Sequence, residues 1–247
     1  MKFEKINVFG NADSKLVLIH GLAGLFNSWE YNVGYLSKFF SIHEIILPDY
    51  ADSDNGYGID DFVIYVLDYL NKEKLKSVFI LGNSVGGQIA AIIAAKFPNL
   101  VSKLILISSA GFFDESEQHE KLIIRSPSLE NIIKVMQNIF YDKNKCDSNL
   151  VNNVCKDYSN RKRLLGFLRT ARRTKVYNIS NLITRIQVPT LIVWGLNDNI
   201  IPINIAYKFY HLIKNSSLVI FSKCGHAPQI EYSKRFNSLA KQFLLSN

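Results

Sequence analysis

The stretch of this chain best suited to chemistry is Gly82-x-Ser84-x-Gly86, a serine between two glycines. A short apolar run over 78–81 enters it, and an apolar segment with helical character over 86–95 leaves it. A strand, a sharp turn and a helix in this order expose the hydroxyl and present the free N–H groups of the helix start to a developing negative charge. The pattern predicts a nucleophilic Ser84. Its structural alternative is an ordinary glycine-rich turn between a strand and a helix.

A serine hydroxyl is a weak nucleophile at neutral pH, so it needs a base and a group that orients the base. Of the five histidines, His226 is the predicted base. It follows the last predicted strand in a loop marked by Gly225 and Pro228, at the sheet edge where ligands bind. A surface-loop histidine is the structural alternative. His119 and His211 are expected on solvated helix faces.

Asp198 is the predicted orienting acid, because it leaves the carboxyl end of the predicted strand 189–195. Its structural alternative is a turn or helix-capping aspartate before the next helix. Asp49 also follows a strand and is the second choice, although it precedes the serine in the chain. The order Ser84, Asp198, His226 is that of a serine triad built on the loops of a doubly wound sheet.

The composition is that of a folded protein with a sizeable core. The 247 residues are 48% apolar and 20% charged, which fits one large α/β domain or two small ones. The three cysteines, Cys146, Cys155 and Cys224, are expected to be free thiols, and they lack metal-ligand spacing. The cysteines therefore predict no metal site. The chain start lacks a signal-peptide core and no apolar run could span a membrane, so a soluble cytoplasmic protein is expected.

Short apolar runs alternate with helical patterns along most of the chain, which predicts an α/β fold with a parallel, doubly wound sheet. The predicted strands are 3–9, 15–20, 42–47, 78–81, 103–108, 189–195 and 217–221. Between the fifth and sixth of them lie only helical patterns and polar loops. The predicted organisation is a core of residues 1–110 and 189–247, with a helical insertion over 111–188.

Four segments together resemble the α/β-hydrolases, in particular the small single-cap serine hydrolases. They are 20–24, 82–87, 195–202 and 225–226. That group includes carboxylesterases, such as the pimeloyl-acyl-carrier-protein methyl ester esterases of biotin synthesis, and meta-cleavage product hydrolases. The resemblance implies an α/β-hydrolase fold: a mostly parallel central sheet flanked by helices, with a helical cap inserted after the sixth strand.

The resemblance also implies a mechanism through an acyl-enzyme. Ser84 attacks an acyl carbonyl, His226 takes its proton and returns it to the leaving group, and Asp198 orients the imidazole. The backbone N–H groups of Leu22 and Val85 form the oxyanion hole. Water then hydrolyses the acyl-enzyme, and this mechanism needs no metal and no organic cofactor. Within the first matching segment, His20 is expected to shape the loop beside the serine.

The helical insertion carries most of the positive charge of the chain. It contains 14 Lys/Arg and 8 Asp/Glu, whereas the whole chain has a net charge of +8. A helical projection of 156–175 places five basic residues on an outward face: Arg161, Lys162, Arg169, Arg172 and Arg173. A solvated helix face is the structural alternative. The resemblance suggests a docking face for acyl carrier protein. Neither a nucleic acid nor a membrane is an expected partner, and a monomer is expected.

The preferred function is hydrolysis of a carboxylic ester. The preferred substrate is a methyl ester, either of a small acyl group or of an acyl chain linked to acyl carrier protein. Phe112, Phe140 and Tyr141 are candidate pocket residues, with core packing as their alternative. A dehalogenase is disfavoured, because those relatives carry aspartate where this chain has Ser84. A peptidase would need an acid in the cap that nothing here singles out.

Two other functions stay open. A carbon–carbon hydrolase of the meta-cleavage type fits the elbow residues Gly82-Asn83-Ser84, although those relatives often have tryptophan where Ala227 stands. A non-catalytic ligand receptor on the same fold is the third possibility. The loop after Asp49 also departs from the family, because 50–54 lacks the usual glycine-rich Pro-Gly-x-Gly-x-Ser pattern.

Overall fold

The computed structural model describes residues 6–22, 28–112, 129–146 and 148–246. One seven-stranded sheet forms the centre of this part of the chain. The strands are β1 (Ile6–Phe9), β2 (Lys15–Ile19), β3 (Ser41–Ile45), β4 (Val78–Asn83), β5 (Val101–Ile107), β6 (Thr190–Gly195) and β7 (Ser216–Phe221). Their order is β1-β3-β2-β4-β5-β6-β7, in which β1 is antiparallel to β3 and every other neighbouring pair is parallel. The predicted α/β-hydrolase sheet is confirmed.

The described helices connect the strands and cover both faces of the sheet. They are α1 (Glu30–Leu36), α2 (Ile59–Lys72), α3 (Val85–Lys96), α4 (Leu129–Ile139), α5 (Ser148–Ser159), α6 (Arg161–Lys175), α7 (Ser180–Ile183), α8 (Ile203–Leu212), α9 (Pro228–Glu231) and α10 (Ser233–Leu245). Single 3₁₀ turns occupy Tyr50–Asp52, Pro98–Leu100 and Lys143–Lys145. Within these ranges no helix is long and apolar enough to cross a membrane.

Alternate side chains of the central strands enter two hydrophobic clusters, one on each face of the sheet. In β2, Val17 and Ile19 belong to the cluster beneath α2 and α3, whereas Leu16 and Leu18 pack in the cluster beneath α1 and α10. All four are fully buried. Parallel strands covered on both faces have continuous apolar runs, and this is why those strands are visible in the sequence.

The helices α4 to α7 lie between β5 and β6, in the range expected to form a cap. The family resemblance places the insertion after a sixth strand, whereas five described strands, β1 to β5, precede it here. Among the described strands, the insertion therefore follows the fifth, β5. The expected division into 1–110, 111–188 and 189–247 stays a prediction, and residues 113–128 of it lie outside the described residues.

Helix α6 packs closely against the 49–58 segment, which follows β3. A Cβ built on Gly166 would lie 1.9 Å from the Tyr50 carbonyl oxygen, so only glycine allows the helix to approach so closely. Near the middle of the helix, the Thr170 hydroxyl oxygen accepts the Tyr57 backbone N–H at 2.9 Å. The loop that departs from the family pattern is thus the segment on which this helix rests.

Replacing Gly166 with alanine is expected to lower the free energy of unfolding by about 1–3 kcal/mol, because its methyl group would collide with backbone that has to move. Urea unfolding measures this change. Gly34→Ala in α1 is the matched control, since no atom beyond the adjacent residues and backbone of its own helix lies within 4 Å of a Cβ built there. The control should be stabilised by roughly 0.5–1 kcal/mol through helix propensity. Equal stabilisation of both variants would contradict the close approach.

Candidate active site

The predicted nucleophile Ser84 occupies the turn between β4 and α3. Its backbone is strained, with φ of 56° and ψ of −123°. Such a conformation in a residue other than glycine costs on the order of 1–3 kcal/mol and persists only where the surrounding structure enforces it. Its side chain is only partly buried. The turn therefore holds the hydroxyl in a fixed, accessible position.

The flanking glycines allow this turn to lie against its neighbours. A Cβ on Gly82 would be 2.3 Å from the Gly86 carbonyl oxygen, and one on Gly86 would be 2.1 Å from the Ile19 carbonyl oxygen. The first turn of α3 is thus pressed against the ends of β4 and β2. A side chain at Gly82 or Gly86 would collide with neighbouring backbone, so the packing requires glycine at both positions of the Gly-x-Ser-x-Gly pattern.

Two backbone segments approach Ser84 where an oxyanion hole would lie. Val85 begins α3, and the first N–H groups of a helix have no acceptor within it. On the other side, a Cβ built on Gly21 would be 3.5 Å from the Ser84 hydroxyl oxygen, so the turn containing Gly21 and Leu22 lies beside the nucleophile. The role of Leu22 and Val85 as oxyanion donors stays a prediction that this placement permits.

His20 braces the turn that carries Leu22. Its Nε2 accepts the Leu47 backbone N–H at 3.0 Å, so in the neutral ring the proton is on Nδ1, which donates to the Gly21 carbonyl oxygen at 2.7 Å. Burial lowers the pKa of His20, and the hydrogen bond to Gly21 opposes this only in part. Both ring nitrogens of His20 are thus engaged in hydrogen bonds, which fits the structural role expected for this residue.

The predicted base and acid are in direct contact. His226 Nδ1 lies 2.8 Å from Asp198 Oδ2, and both side chains are buried. The other carboxylate oxygen of Asp198 accepts the backbone N–H groups of Ile200 and Ile201 at 2.8 and 2.9 Å. The carboxylate therefore has a fixed orientation and holds the imidazole by Nδ1, leaving Nε2 as its basic nitrogen.

The loop that carries His226 is tied to the turn that carries Ser84. The Asn83 side-chain amide donates to the Ile107 carbonyl oxygen at 3.1 Å and to the His226 carbonyl oxygen at 3.4 Å. Ser84, Asp198 and His226 follow β4, β6 and β7, whose carboxyl ends lie at one edge of the sheet. The structure thus pairs His226 with Asp198 and places Ser84 at the same edge of the sheet, whereas the action of the three residues as a catalytic triad stays a prediction.

The comparisons with known proteins agree with this geometry. The sequence profile of the family described as alpha/beta hydrolase fold matches residues 15–131 and 157–232. The chain belongs to this family. A 2-hydroxy-6-oxononadienedioate/2-hydroxy-6-oxononatrienedioate hydrolase from a Pseudomonas species is 25% identical over 97% of this chain and 90% of that protein. A second hydrolase of the same name, from Pseudomonas putida, is 32% identical over 72% of this chain and 65% of that protein.

Solved structures have the same fold. A meta-cleavage product hydrolase from Pseudomonas fluorescens IP01 superposes with a TM-score of 0.84 at 22% identity, covering 97% of this chain and 93% of that one. An N-acyl homoserine lactone degrading enzyme also gives 0.84, at 19% identity and with 97% and 96% covered. These likenesses at low identity show the fold alone, whereas the family match and the curated relatives show that the protein is a hydrolase of this fold.

Asp49, the second choice for the acid of this α/β-hydrolase, has other partners. One of its carboxylate oxygens accepts the Ala51 backbone N–H at 2.9 Å and lies 3.1 Å from Arg163 Nε. The structure pairs His226 with Asp198 instead. Arg163, which the sequence analysis did not single out, joins the start of α6 to the 49–58 segment.

Tyr50 connects the cap helix to the oxyanion turn of this α/β-hydrolase, and no sequence pattern singled it out. Its hydroxyl donates to the Leu22 carbonyl oxygen, and its ring packs edge-on against Phe167 of α6 at 5.5 Å between ring centres. Burial raises the pKa of Tyr50 well above its usual value, so the phenol keeps its proton. The conformation of Leu22 therefore depends on how α6 is seated.

Replacing Tyr50 with phenylalanine keeps the ring on Phe167 but removes the bond to Leu22. We expect the free energy of unfolding to fall by about 1 kcal/mol. We also expect a several-fold lower kcat, because Leu22 is no longer held beside Ser84. Tyr69→Phe is the control, since its hydroxyl is hydrogen-bonded to His43 Nδ1 at 2.7 Å, and His43 lies in the middle of β3. Equal effects of both substitutions on kcat would argue against a role for Tyr50 in holding the turn.

The three candidate pocket aromatics occupy different environments. Phe112 packs edge-on against Phe209 of α8 at 5.0 Å between ring centres. Phe140 is fully buried in a small cluster with Ala227, the residue after the base, whereas the Tyr141 side chain is 46% exposed. Phe140 is thus the one packed directly against the loop of the base. That any of the three lines a substrate pocket stays a prediction.

The basic face of α6 is exposed, as the helical projection predicts, but two of its arginines also contact the neighbouring loop. Arg169 Nη1 donates to the Asp54 carbonyl oxygen at 2.5 Å, and Arg173 Nη1 donates to the Gly56 carbonyl oxygen at 2.6 Å. Both residues remain largely exposed, as do Arg161, Lys162 and Arg172. All five residues are exposed as the projection predicts, and what the projection could not show is that two of the guanidinium groups donate to carbonyl groups of the neighbouring loop. The docking of a carrier protein on this face stays a prediction.

Among the described residues, no cluster of three or more His, Cys, Asp or Glu side chains could hold a metal ion. The described cysteines are free thiols. Burial, together with the nearby carboxylates of Glu231 and Asp198, raises the pKa of the Cys224 thiol far above its usual value. Cys224 is therefore protonated and does not form a nucleophilic pair with His226.

Proposed function

We propose that this α/β-hydrolase is a serine hydrolase that cleaves a carbon–carbon bond next to a ketone in a 2-hydroxy-6-oxo dienoic acid. The observation that carries the serine mechanism is the 2.8 Å contact between His226 and Asp198 beside the strained Ser84 turn. The substrate class rests on the curated relatives, whose names specify 2-hydroxy-6-oxo dienedioates and a 2-hydroxy-6-oxo-2,4-heptadienoate. This order reverses the preference of the sequence analysis, which placed ester hydrolysis first.

The proposed chemistry begins with a proton shift that converts the hydroxydiene into its 2,6-dioxo form. Ser84 then attacks the 6-keto carbon while His226 takes the hydroxyl proton, and the N–H groups of Leu22 and Val85 stabilise the oxyanion. Collapse breaks the bond between carbons 5 and 6. The electron pair of that bond is delocalised onto the 2-oxygen of the leaving group, which receives the proton from His226. Water then attacks the acyl-enzyme, with His226 as its base, and restores Ser84.

Ester hydrolysis is the second candidate, because the same three residues would cleave an ester with an alcohol as leaving group. The small, buried Ala227 favours it, since it stands where meta-cleavage hydrolases often have tryptophan. Within this candidate, a small methyl ester or one linked to acyl carrier protein is the substrate that the basic face of α6 suggests.

A substrate panel separates the two candidates. The purified protein would be given a 2-hydroxy-6-oxonona-2,4-dienedioate, with loss of the dienol chromophore as the signal, and small esters, including free and carrier-linked methyl esters. We expect the highest kcat/KM on the dienedioate, with Ser84→Ala inactive on it. Turnover of esters alone would establish the second candidate. Stoichiometric binding of the substrates without turnover by a folded protein would contradict both and indicate a receptor.

A further inference from the structure

The loop that carries the base, residues 223–227, lies directly against the end of the first described cap helix. The His226 backbone N–H donates to the Ile139 carbonyl oxygen at 2.7 Å. A Cβ built on Gly225 would lie 2.3 Å from that same oxygen and 2.8 Å from the Tyr141 nitrogen. The base loop, 223–227, and the cap segment, 139–142, are therefore in backbone contact.

One carboxylate bridges the base loop and the cap segment. Glu231 Oε1 accepts the Gly225 backbone N–H at 2.6 Å. Glu231 Oε2 accepts the N–H groups of Tyr141 and Asp142 at 2.9 and 3.2 Å. The Cys224 thiol lies 3.6 Å from Oε1. Each oxygen thus serves a different segment of the chain, and the two segments meet at this side chain.

The environment of Glu231 makes these bonds costly to lose. Burial raises its pKa, and the hydrogen bonds from Gly225, Asp142, Tyr141 and Cys224 oppose that shift. A partly buried carboxylate needs such donors to stay charged, and hydrogen bonds to a charged acceptor are about twice as strong as neutral ones. The three backbone N–H groups would in turn lose their acceptor without it.

We propose that Glu231 is a positioning residue that holds His226 in its working orientation and couples the base to the cap segment. It acts through Gly225, the neighbour of the base, while Asp198 fixes the ring from the other side. A shift of the cap segment is transmitted to His226 through the two carboxylate oxygens and through the Ile139 carbonyl group. This inference rests on the proposed serine hydrolase function.

The test is Glu231→Gln, which keeps the size of the side chain but replaces one acceptor oxygen with an NH₂ group that cannot accept a backbone N–H. Glu130→Gln is the matched control, because Glu130 is 76% exposed on α4 and pairs only with Lys134 among the described contacts. Both variants and the wild type would be treated with a fluorophosphonate, which reacts with the serine of a working triad whatever the natural substrate is. The kinact and KI values of this reaction are measured by intact-protein mass spectrometry, with circular dichroism and the melting temperature as checks of the fold.

We expect Glu231→Gln to lower kinact by about 10- to 100-fold with KI within twofold of wild type, because misplacing a reacting group by about 1 Å can cost 10²-fold in rate. Glu130→Gln should react as the wild type does. A lower melting temperature with unchanged kinact would reduce Glu231 to a structural role and overturn the inference. If Glu231→Gln lacked the native circular dichroism, Glu231→Asp, whose carboxylate is one methylene shorter, would be judged by the same kinact criterion. If the wild-type protein never reacted, the proposed function itself would be overturned. Equal rates of reaction for the wild type and Glu231→Gln would overturn only the inference about Glu231.

Discussion

Replacement of Ser84 by alanine is expected to lower kcat by about 10⁵- to 10⁶-fold on whichever substrate the wild type turns over. The methyl group leaves the strained turn and the packing of Gly82 and Gly86 in place, but the nucleophilic oxygen is gone. Water would then have to attack the substrate directly, helped only by binding and by the oxyanion donors. Steady-state kinetics measure the loss, and circular dichroism checks the fold.

Ser102→Ala is the matched control for this substitution. Ser102 lies near the start of β5, at the opposite edge of the sheet, and its hydroxyl donates to the Ser77 carbonyl oxygen at 2.5 Å. Its replacement should leave kcat within twofold of wild type. If Ser84→Ala kept more than about one hundredth of the wild-type kcat, Ser84 would not be the nucleophile.

Replacement of Asp198 by asparagine is expected to lower kcat by about 10⁴-fold. The retained amide oxygen continues to accept the N–H groups of Ile200 and Ile201, so the loop stays in place. The new NH₂ group then faces His226 Nδ1, where the carboxylate oxygen had been. The ring responds by carrying its proton on Nε2, which leaves no basic nitrogen for the serine proton.

Asp49→Asn is the control that separates the two candidate acids. Asp49 follows β3 but pairs with Arg163, so its amide variant should lose less than about tenfold in kcat. Steady-state kinetics of both variants across pH 6–9 give the comparison. A larger loss in Asp49→Asn than in Asp198→Asn would assign the orienting role to Asp49 and contradict the observed pairing.

The features predicted well from the sequence are those that a short stretch of chain determines. The central strands are continuous apolar runs because both faces of the sheet are covered, as β2 illustrates. The Ser84 turn was visible because Gly82 and Gly86 are required within two residues of it. The order of Ser84, Asp198 and His226 along the chain then indicated which strand ends would meet.

The features that were missed depend on contacts between distant parts of the chain. Helix α1 was not predicted, because its seven residues are too few to show a helical spacing of apolar side chains. Tyr50 bonds to Leu22, Arg163 pairs with Asp49, and no local periodicity announces such partners. Helical projection separated the basic and apolar faces of α6 but could not reveal the loop beneath it.

Glu231 shows the same limit most clearly. In the sequence it is one acid near the start of the last helical segment, whereas in the structure it joins the base loop, 223–227, to the cap segment, 139–142. Substrate preference is equally remote from sequence pattern, because the walls of a substrate pocket are placed by tertiary packing and not by local residue spacing. The ranking of carbon–carbon over ester cleavage therefore came from the relatives and not from the residues around Ser84.

The most direct test of the central claim is to locate the residue that a fluorophosphonate modifies in the wild-type protein. Peptide mapping by mass spectrometry after complete reaction should place a single adduct on Ser84, and heat-denatured protein should carry none. An adduct on another residue, or equal modification of native and denatured protein, would contradict the assignment of Ser84, His226 and Asp198 as a working triad.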